Sequence, residues 1–161
     1  MHDDRPDWDT YFLGIAHAVA ERTDCRRAKC GAVLVDTHHR IVGSGYPGTV
    51  AGRRGCLQGA CPRGLKDYTE TPPLSAYDDC ISLHAESNAI LHSDRALYTG
   101  GTIYVTREPC HWCLKMLQGA GLIRAVWPGK ARSRDFTIGD KTVTLIQDVA
   151  EEINLRTWRA A

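Results

Sequence analysis

The chain has 161 residues, 43% hydrophobic and 24% charged, with 20 basic and 19 acidic side chains and a formal net charge of +1. This length and composition describe one globular domain over residues 1–161 and exclude collagen-like and disordered chains. No apolar run reaches the ~18 residues of a membrane span, and the near-neutral charge gives no bulk attraction to nucleic acid.

The first element is an amphipathic helix from Asp9 to about Arg22. Phe12, Ile15, Ala16, Val19 and Ala20 recur at helical spacing, with Asp9 or Thr10 as the expected cap. Cys30 to Asp36 is an apolar run that suits a buried strand, and Thr37–Arg40 turns into a second strand over Ile41–Tyr46. So short a link predicts antiparallel pairing. From Pro47 to Cys80 the sequence has no clear period and is rich in Gly and Pro. A loop of that length in a small domain is functional or is held by something, and this one contains Cys56, Cys61 and Cys80.

A helix is predicted from His84 to about Ser93, and the β-branched run Thr102–Thr106 is a strand. Pro109 introduces a helix over Cys110–Ala120, followed by a strand at Leu122–Trp127. Alternation of strand and helix predicts a partly parallel sheet covered by helices. A further strand is expected at Lys141–Ile146 and a closing helix at Val149–Trp158. Lys130–Arg134 is a small basic run that suits a solvated turn.

Cysteine is in excess. Seven are present, an odd number, and the opening Met1–Pro6 lacks the apolar core of an export signal. A cytoplasmic protein is therefore expected, with thiols used as metal ligands or in catalysis rather than as a disulfide framework.

Two motifs carry the chemistry: His84-Ala85-Glu86 and Pro109-Cys110-His111-Trp112-Cys113, each at a predicted helix start. One imidazole and two thiolates form a three-ligand set for zinc that leaves a fourth position for water. Cysteines three apart point at one ion from a first helical turn, where the positive end of the helix favours thiolate. Glu86 lies two residues past the histidine and suits a proton shuttle beside the metal. His-x-Glu alone arises by chance on exposed helices, and Pro-Cys-x-x-Cys alone also marks structural zinc knuckles and redox pairs. In this order, with a strand between, they form the signature of zinc nucleobase deaminases. His111 would project elsewhere on the helix and is not taken as a ligand.

Several stretches together resemble the deoxycytidylate (dCMP) deaminase group of the cytidine deaminase superfamily. They run from Trp8-Asp9-Thr10-Tyr11-Phe12 to Trp127 and include Gly31-Ala32-Val33, Gly45-Tyr46, His84 to Ile90, and Thr102–Thr106 leading into the cysteine motif. Asn88 and Ala89 are more similar to this group than to tRNA adenosine deaminases. The resemblance implies a three-layer α/β/α fold with a mixed central sheet of about five strands, and a homo-oligomer, often under nucleotide control. It implies a catalytic Zn²⁺ on His84, Cys110 and Cys113, and hydrolysis at C4 of a cytosine nucleotide, dCMP giving dUMP and ammonia, with Glu86 moving the proton. The Ala85 amide would bind the base carbonyl and the Glu108 carbonyl the amino group.

Some bacterial and phage members of the group carry a second, structural zinc. The matching positions here are Cys25 and Cys56, with Cys80 four residues before His84 and Cys61 completing a four-thiolate set; Cys30 is left over as a buried strand residue. One departure bears on substrate: Pro47 stands where the family has Asn after Tyr46 in the Gly-Tyr-x-Gly turn, and it donates no hydrogen bond. Trp112 also departs from the small acidic pair common in the group. Tyr46 and Arg95 are expected substrate contacts, Arg95 with Arg53 and Arg54 for the phosphate. Two other readings stay open. One is the same chemistry on a modified base, a nucleoside, or a base in tRNA or single-stranded DNA. The other is a non-catalytic zinc-binding module.

Overall fold

The computed structural model of the chain describes residues 4–70 and 77–128, with the backbone of 136–138 and 141–145. Helix α1 (Trp8–Ala20) begins where Asp7 accepts from the Thr10 amide at 2.8 Å and from the Thr10 hydroxyl at 3.1 Å. The cap is therefore Asp7 rather than Asp9 or Thr10. Trp8 already belongs to the first turn, its ring stacked on Phe12 at 5.6 Å.

Chain order continues with β1 (Ala32–Val35), β2 (Ile41–Gly45), α2 (Pro62–Leu65), α3 (Ala85–Leu91), α4 (Arg95–Tyr98), β3 (Thr102–Val105), α5 (His111–Gly119), β4 (Arg124–Pro128), β5 (Phe136–Ile138) and β6 (Lys141–Leu145). The strands form one mixed sheet in the order β2-β1-β3-β4-β6-β5. β1 and β2 pair antiparallel as their short link requires, with Ala32 opposite Gly45. β1 and β3 are also antiparallel, and β3 and β4 are the parallel pair, Ile103 opposite Ala125. The sheet has six strands where about five were expected. The extra one, β5, spans three residues, too few for an alternating pattern to register. The expected helix at Val149–Trp158 and the basic run Lys130–Arg134 lie outside the described residues.

The layers follow from alternation along the central strands. Val33 and Val35 of β1, Tyr104 of β3 and Val126 of β4 pack with Phe12, Leu13 and Ala16 of α1 on one face. Ala32, Leu34, Ile103, Val105 and Ala125 face the other way, against Ala85 and Ala89 of α3 and Leu117 of α5. Strands buried on both faces read as continuous apolar runs, and β1 is buried at all four positions. Helices α3 and α5 thus lie on the same side of the sheet, and their N-termini carry the two chemical motifs.

The long Cys-containing loop has anchors of its own. Cys61 caps the short helix α2, its sulfur accepting from the Gly64 amide at 3.4 Å. Arg63, only 5% exposed, donates to Asp79 at 3.3 Å, and Gly48 bridges to Leu83 in front of α3.

Candidate metal centre and active site

His84 is the residue before the first turn of α3, yet its ring makes no capping bond. It turns instead toward α5, placing Nδ1 3.7 Å from Cys110 Sγ and 3.4 Å from Cys113 Sγ. Cys110 caps α5, its sulfur accepting from the Cys113 amide at 3.4 Å. Hydrogen bonds from Cys113 and His84 hold the Cys110 thiol below the ordinary thiol range. Among the described residues this is the set whose three donor atoms all lie within 4.8 Å of one another. An imidazole and two sulfurs fit zinc and leave a coordination position open.

Glu86 follows on the first turn of α3. It is 6% exposed, and burial pushes its carboxyl above the ordinary range against the opposing pull of its own amide and of His84. A cavity of about 390 Å³ opens above these groups, lined by His84, Ala85, Glu86, Glu108 and Cys110 on the helix side and by loop residues opposite. That volume falls within the ~300–1,000 Å³ usual for small-molecule sites. The hydroxyl of Ser82, also on the cavity wall, is buried with no partner among the described residues, which marks the cavity as one that expects a polar ligand.

Cys25, Cys56, Cys61 and Cys80 line the far end of the same cavity. Cys61 and Cys80 sulfurs are 4.0 Å apart, and Cys56 is hydrogen-bonded to Cys61. Backbone amides aim at three of these sulfurs from 3.4 Å: Arg27 at Cys25, Arg26 at Cys56 and Gly64 at Cys61. Burial opposes ionisation of Cys61, but amides of Ile81 and Gly64 and the neighbouring thiols outweigh it and set the thiol below its ordinary value. Cys30 is apart from this set, largely buried at the end of β1.

The family model described as the cytidine and deoxycytidylate deaminase zinc-binding region matches residues 6–129. The chain belongs to the cytidine and deoxycytidylate deaminase family. It is an enzyme of this zinc-dependent deaminase class. The deoxycytidylate deaminase of Mycobacterium phage D29 is 48% identical over 130 residues, 77% of this chain and 96% of the relative. That of Schizosaccharomyces pombe is 32% identical over 155 residues, 96% of this chain but 45% of the relative. The dCMP deaminase of cyanophage S-TIM5, solved with dCMP and dUMP, is similar with a TM-score of 0.54 and 25% identity, over 73% of this chain and 78% of that one.

Within this family fold the remaining expected site residues divide. Ala85 opens α3, so its amide has no partner within the helix, and Ala85 lines the cavity together with Glu108 of the β3–α5 loop. Pro47 lines the wall, whereas Tyr46 is exposed, its carbonyl accepting from Asn88 Nδ2 at 2.8 Å. Arg95 lies elsewhere: it donates to the Gly119 carbonyl at the C-terminal end of α5, the end remote from Cys110. Arg53 and Arg54 are exposed and do not line the cavity, nor does Trp112, which is 76% exposed beside an adjoining groove. Sequence reasoning missed Tyr77, Arg27 and Arg107 on the cavity wall. Tyr77 packs edge-on against the His84 ring at 4.6 Å, with the Arg63 guanidinium 4.6 Å over its own ring. Only Arg107 carried a signal, its place beside Glu108 in the run leading to Cys110.

Proposed function

We propose that this chain is a deoxycytidylate deaminase that hydrolyses dCMP to dUMP and ammonia. The observation that carries the reading is the meeting of His84, Cys110 and Cys113 next to the buried Glu86, with His84, Glu86 and Cys110 lining one cavity, in a chain 48% identical to a phage protein of that name. Zinc held by His84 Nδ1 and the two sulfurs would supply a water made nucleophilic near neutral pH. The Ala85 amide receives the base carbonyl and the Glu108 carbonyl accepts from the exocyclic amine, which sets C4 over the metal centre. Glu86 would accept one proton from the attacking water and deliver it to N3, then carry the second, from the new C4 hydroxyl, to the leaving nitrogen, so that the product keeps N3–H and ammonia departs. A C–O bond forms, the C4–N bond breaks, and no electron is transferred. The burial that raises the Glu86 carboxyl suits a group that must both take and return a proton.

A second zinc on Cys25, Cys56, Cys61 and Cys80 is part of the reading. Its support is that all four cysteines line one cavity, with the Cys61 and Cys80 sulfurs 4.0 Å apart and backbone amides aimed at three of the four. Its role would be to tie the long loop to the end of α1 and the entry to α3.

Pro47 on the cavity wall cannot donate a hydrogen bond to the sugar, so a modified cytosine nucleotide, a nucleoside or a free base is the alternative substrate to test beside dCMP. The deciding experiment is mass-spectrometric detection of the one-dalton gain on a panel of dCMP, cytidylate, 5-substituted analogues, nucleosides, triphosphates, free bases and single-stranded DNA. Conversion led by dCMP is expected. The Glu86→Gln protein should retain zinc and lose about 10²–10⁴-fold in turnover; unchanged turnover would overturn the proton-shuttle role.

A further inference from the structure

The cavity wall holds three guanidinium groups, from Arg27, Arg63 and Arg107, and they are not equivalent. Arg63 is buried, paired with Asp79 and set over Tyr77. Arg27 lies 4.1 Å over the Tyr68 ring and donates from one nitrogen to the carbonyls of Lys66 at 2.9 Å and Arg63 at 3.5 Å. Both therefore serve to fasten the loop over the cavity.

Arg107 is different. It is exposed at the cavity rim, next in sequence to Glu108, and among the described residues it forms no ion pair. The Cys30 thiol, just before β1, lines the same cavity. Burial pushes that thiol up to about 11, so it is neutral at physiological pH and no counter-ion. A thiol is also a weaker acceptor than a charged oxygen. A planar fork of donors exposed on the cavity wall, next to Glu108 of the β3–α5 loop, suits a dianion.

We infer that Arg107 is the specificity-determining residue for the nucleotide's phosphate: its guanidinium takes the phosphate oxygens of the bound monophosphate. This rests on the cytosine-nucleotide reading above. It also assigns the phosphate to a different arginine from Arg53, Arg54 and Arg95, which lie off the cavity wall. With Pro47 unable to donate to the sugar, phosphate capture becomes the main polar handle outside the base.

The test compares kcat/KM for dCMP and for deoxycytidine in the zinc-loaded protein and in Arg107→Gln, and titrates dUMP against deoxyuridine by calorimetry in both. Arg107→Gln should lower kcat/KM for dCMP by about 10–100-fold, chiefly through KM, and weaken dUMP binding by a similar factor. Values for deoxycytidine and deoxyuridine should change by less than about 3-fold, the scatter of a surface substitution. Arg107→Lys should fall between, since it keeps the charge without the fork, and it carries the test if Arg107→Gln loses zinc or its cooperative melt. Equal losses on the phosphorylated and phosphate-free compounds, or none on either, would overturn the Arg107 assignment while wild-type turnover of dCMP left the substrate reading standing. A wild-type protein that converts other bases but not dCMP, and does not bind dUMP, would overturn both.

Discussion

Asp9 does more than open a helix. Arg124 grips it with two hydrogen bonds, 2.7 and 2.8 Å long, and the Tyr104 hydroxyl donates to it at 2.9 Å. Burial, then the Asp9 hydrogen bond and charge, push the Tyr104 phenol far above its ordinary value, so it remains a donor throughout the physiological range. The network clamps α1 to β3 and β4 on the face of the sheet opposite the active site. Replacing Asp9 by Ala strands a half-buried guanidinium and a buried hydroxyl; a loss of about 2–4 kcal/mol in denaturant melts is expected, with near-normal kcat/KM in the folded fraction. From sequence, Asp9 is a candidate helix cap, because a cap is decided by the next three residues. Its real partners lie 95 and 115 positions away, and no local pattern reports them.

At the level of elements, the placement of α3 depends on a strand position without a side chain. A Cβ on Gly45 would stand 2.2 Å from the Ala85 carbonyl and 2.3 Å from the Ala89 amide, so β2 lies backbone to backbone against the helix that carries Glu86. Gly45→Ala should cost about 1–3 kcal/mol through overpacking and lower kcat/KM further by displacing α3. Gly14→Ala is the control. Nothing lies within 4 Å of its Cβ position inside α1, and it should stabilise by about 0.5–1 kcal/mol without changing turnover. Thermal melts and initial rates on both variants check the pair. Equal effects would show that close approach is not what Gly45 provides. Strand and helix identity along this region was legible, since β1, β3 and β4 are β-branched or apolar runs and α5 follows a proline. The three-residue β5 and the four-residue helices α2 and α4 were not, because one turn or fewer cannot display a period.

For the whole molecule, two clusters of sulfur share one cavity, and they make different demands. The His84–Cys110–Cys113 set is preformed between two helix ends held by the core. The other four thiols sit on loops whose order depends on Arg63–Asp79, Arg27–Tyr68 and the sulfurs themselves. Metal analysis of the purified protein should give about two zinc ions per chain. Cys61→Ser should retain one and melt at a lower temperature, because binding free energy at a loop site is folding free energy. One ion per chain in the wild type, with Cys25 and Cys56 freely alkylated in the native state, would refute the second site. Among the described residues no helix is long and apolar enough to cross a membrane.

The residues of the metal centre and of the proton shuttle were determined by sequence alone. Their chemistry demands fixed residue types at fixed spacing on two helix starts, and local spacing is what a sequence displays. The same holds for the thiols of the loop as a set. Tertiary structure alone shows which of many arginines line the cavity. Arginine is common and solvated, so its type carries little information, and only the fold shows Arg95 bound to the far end of α5, Arg63 and Arg27 fastening the loop, and Arg107 exposed on the cavity wall.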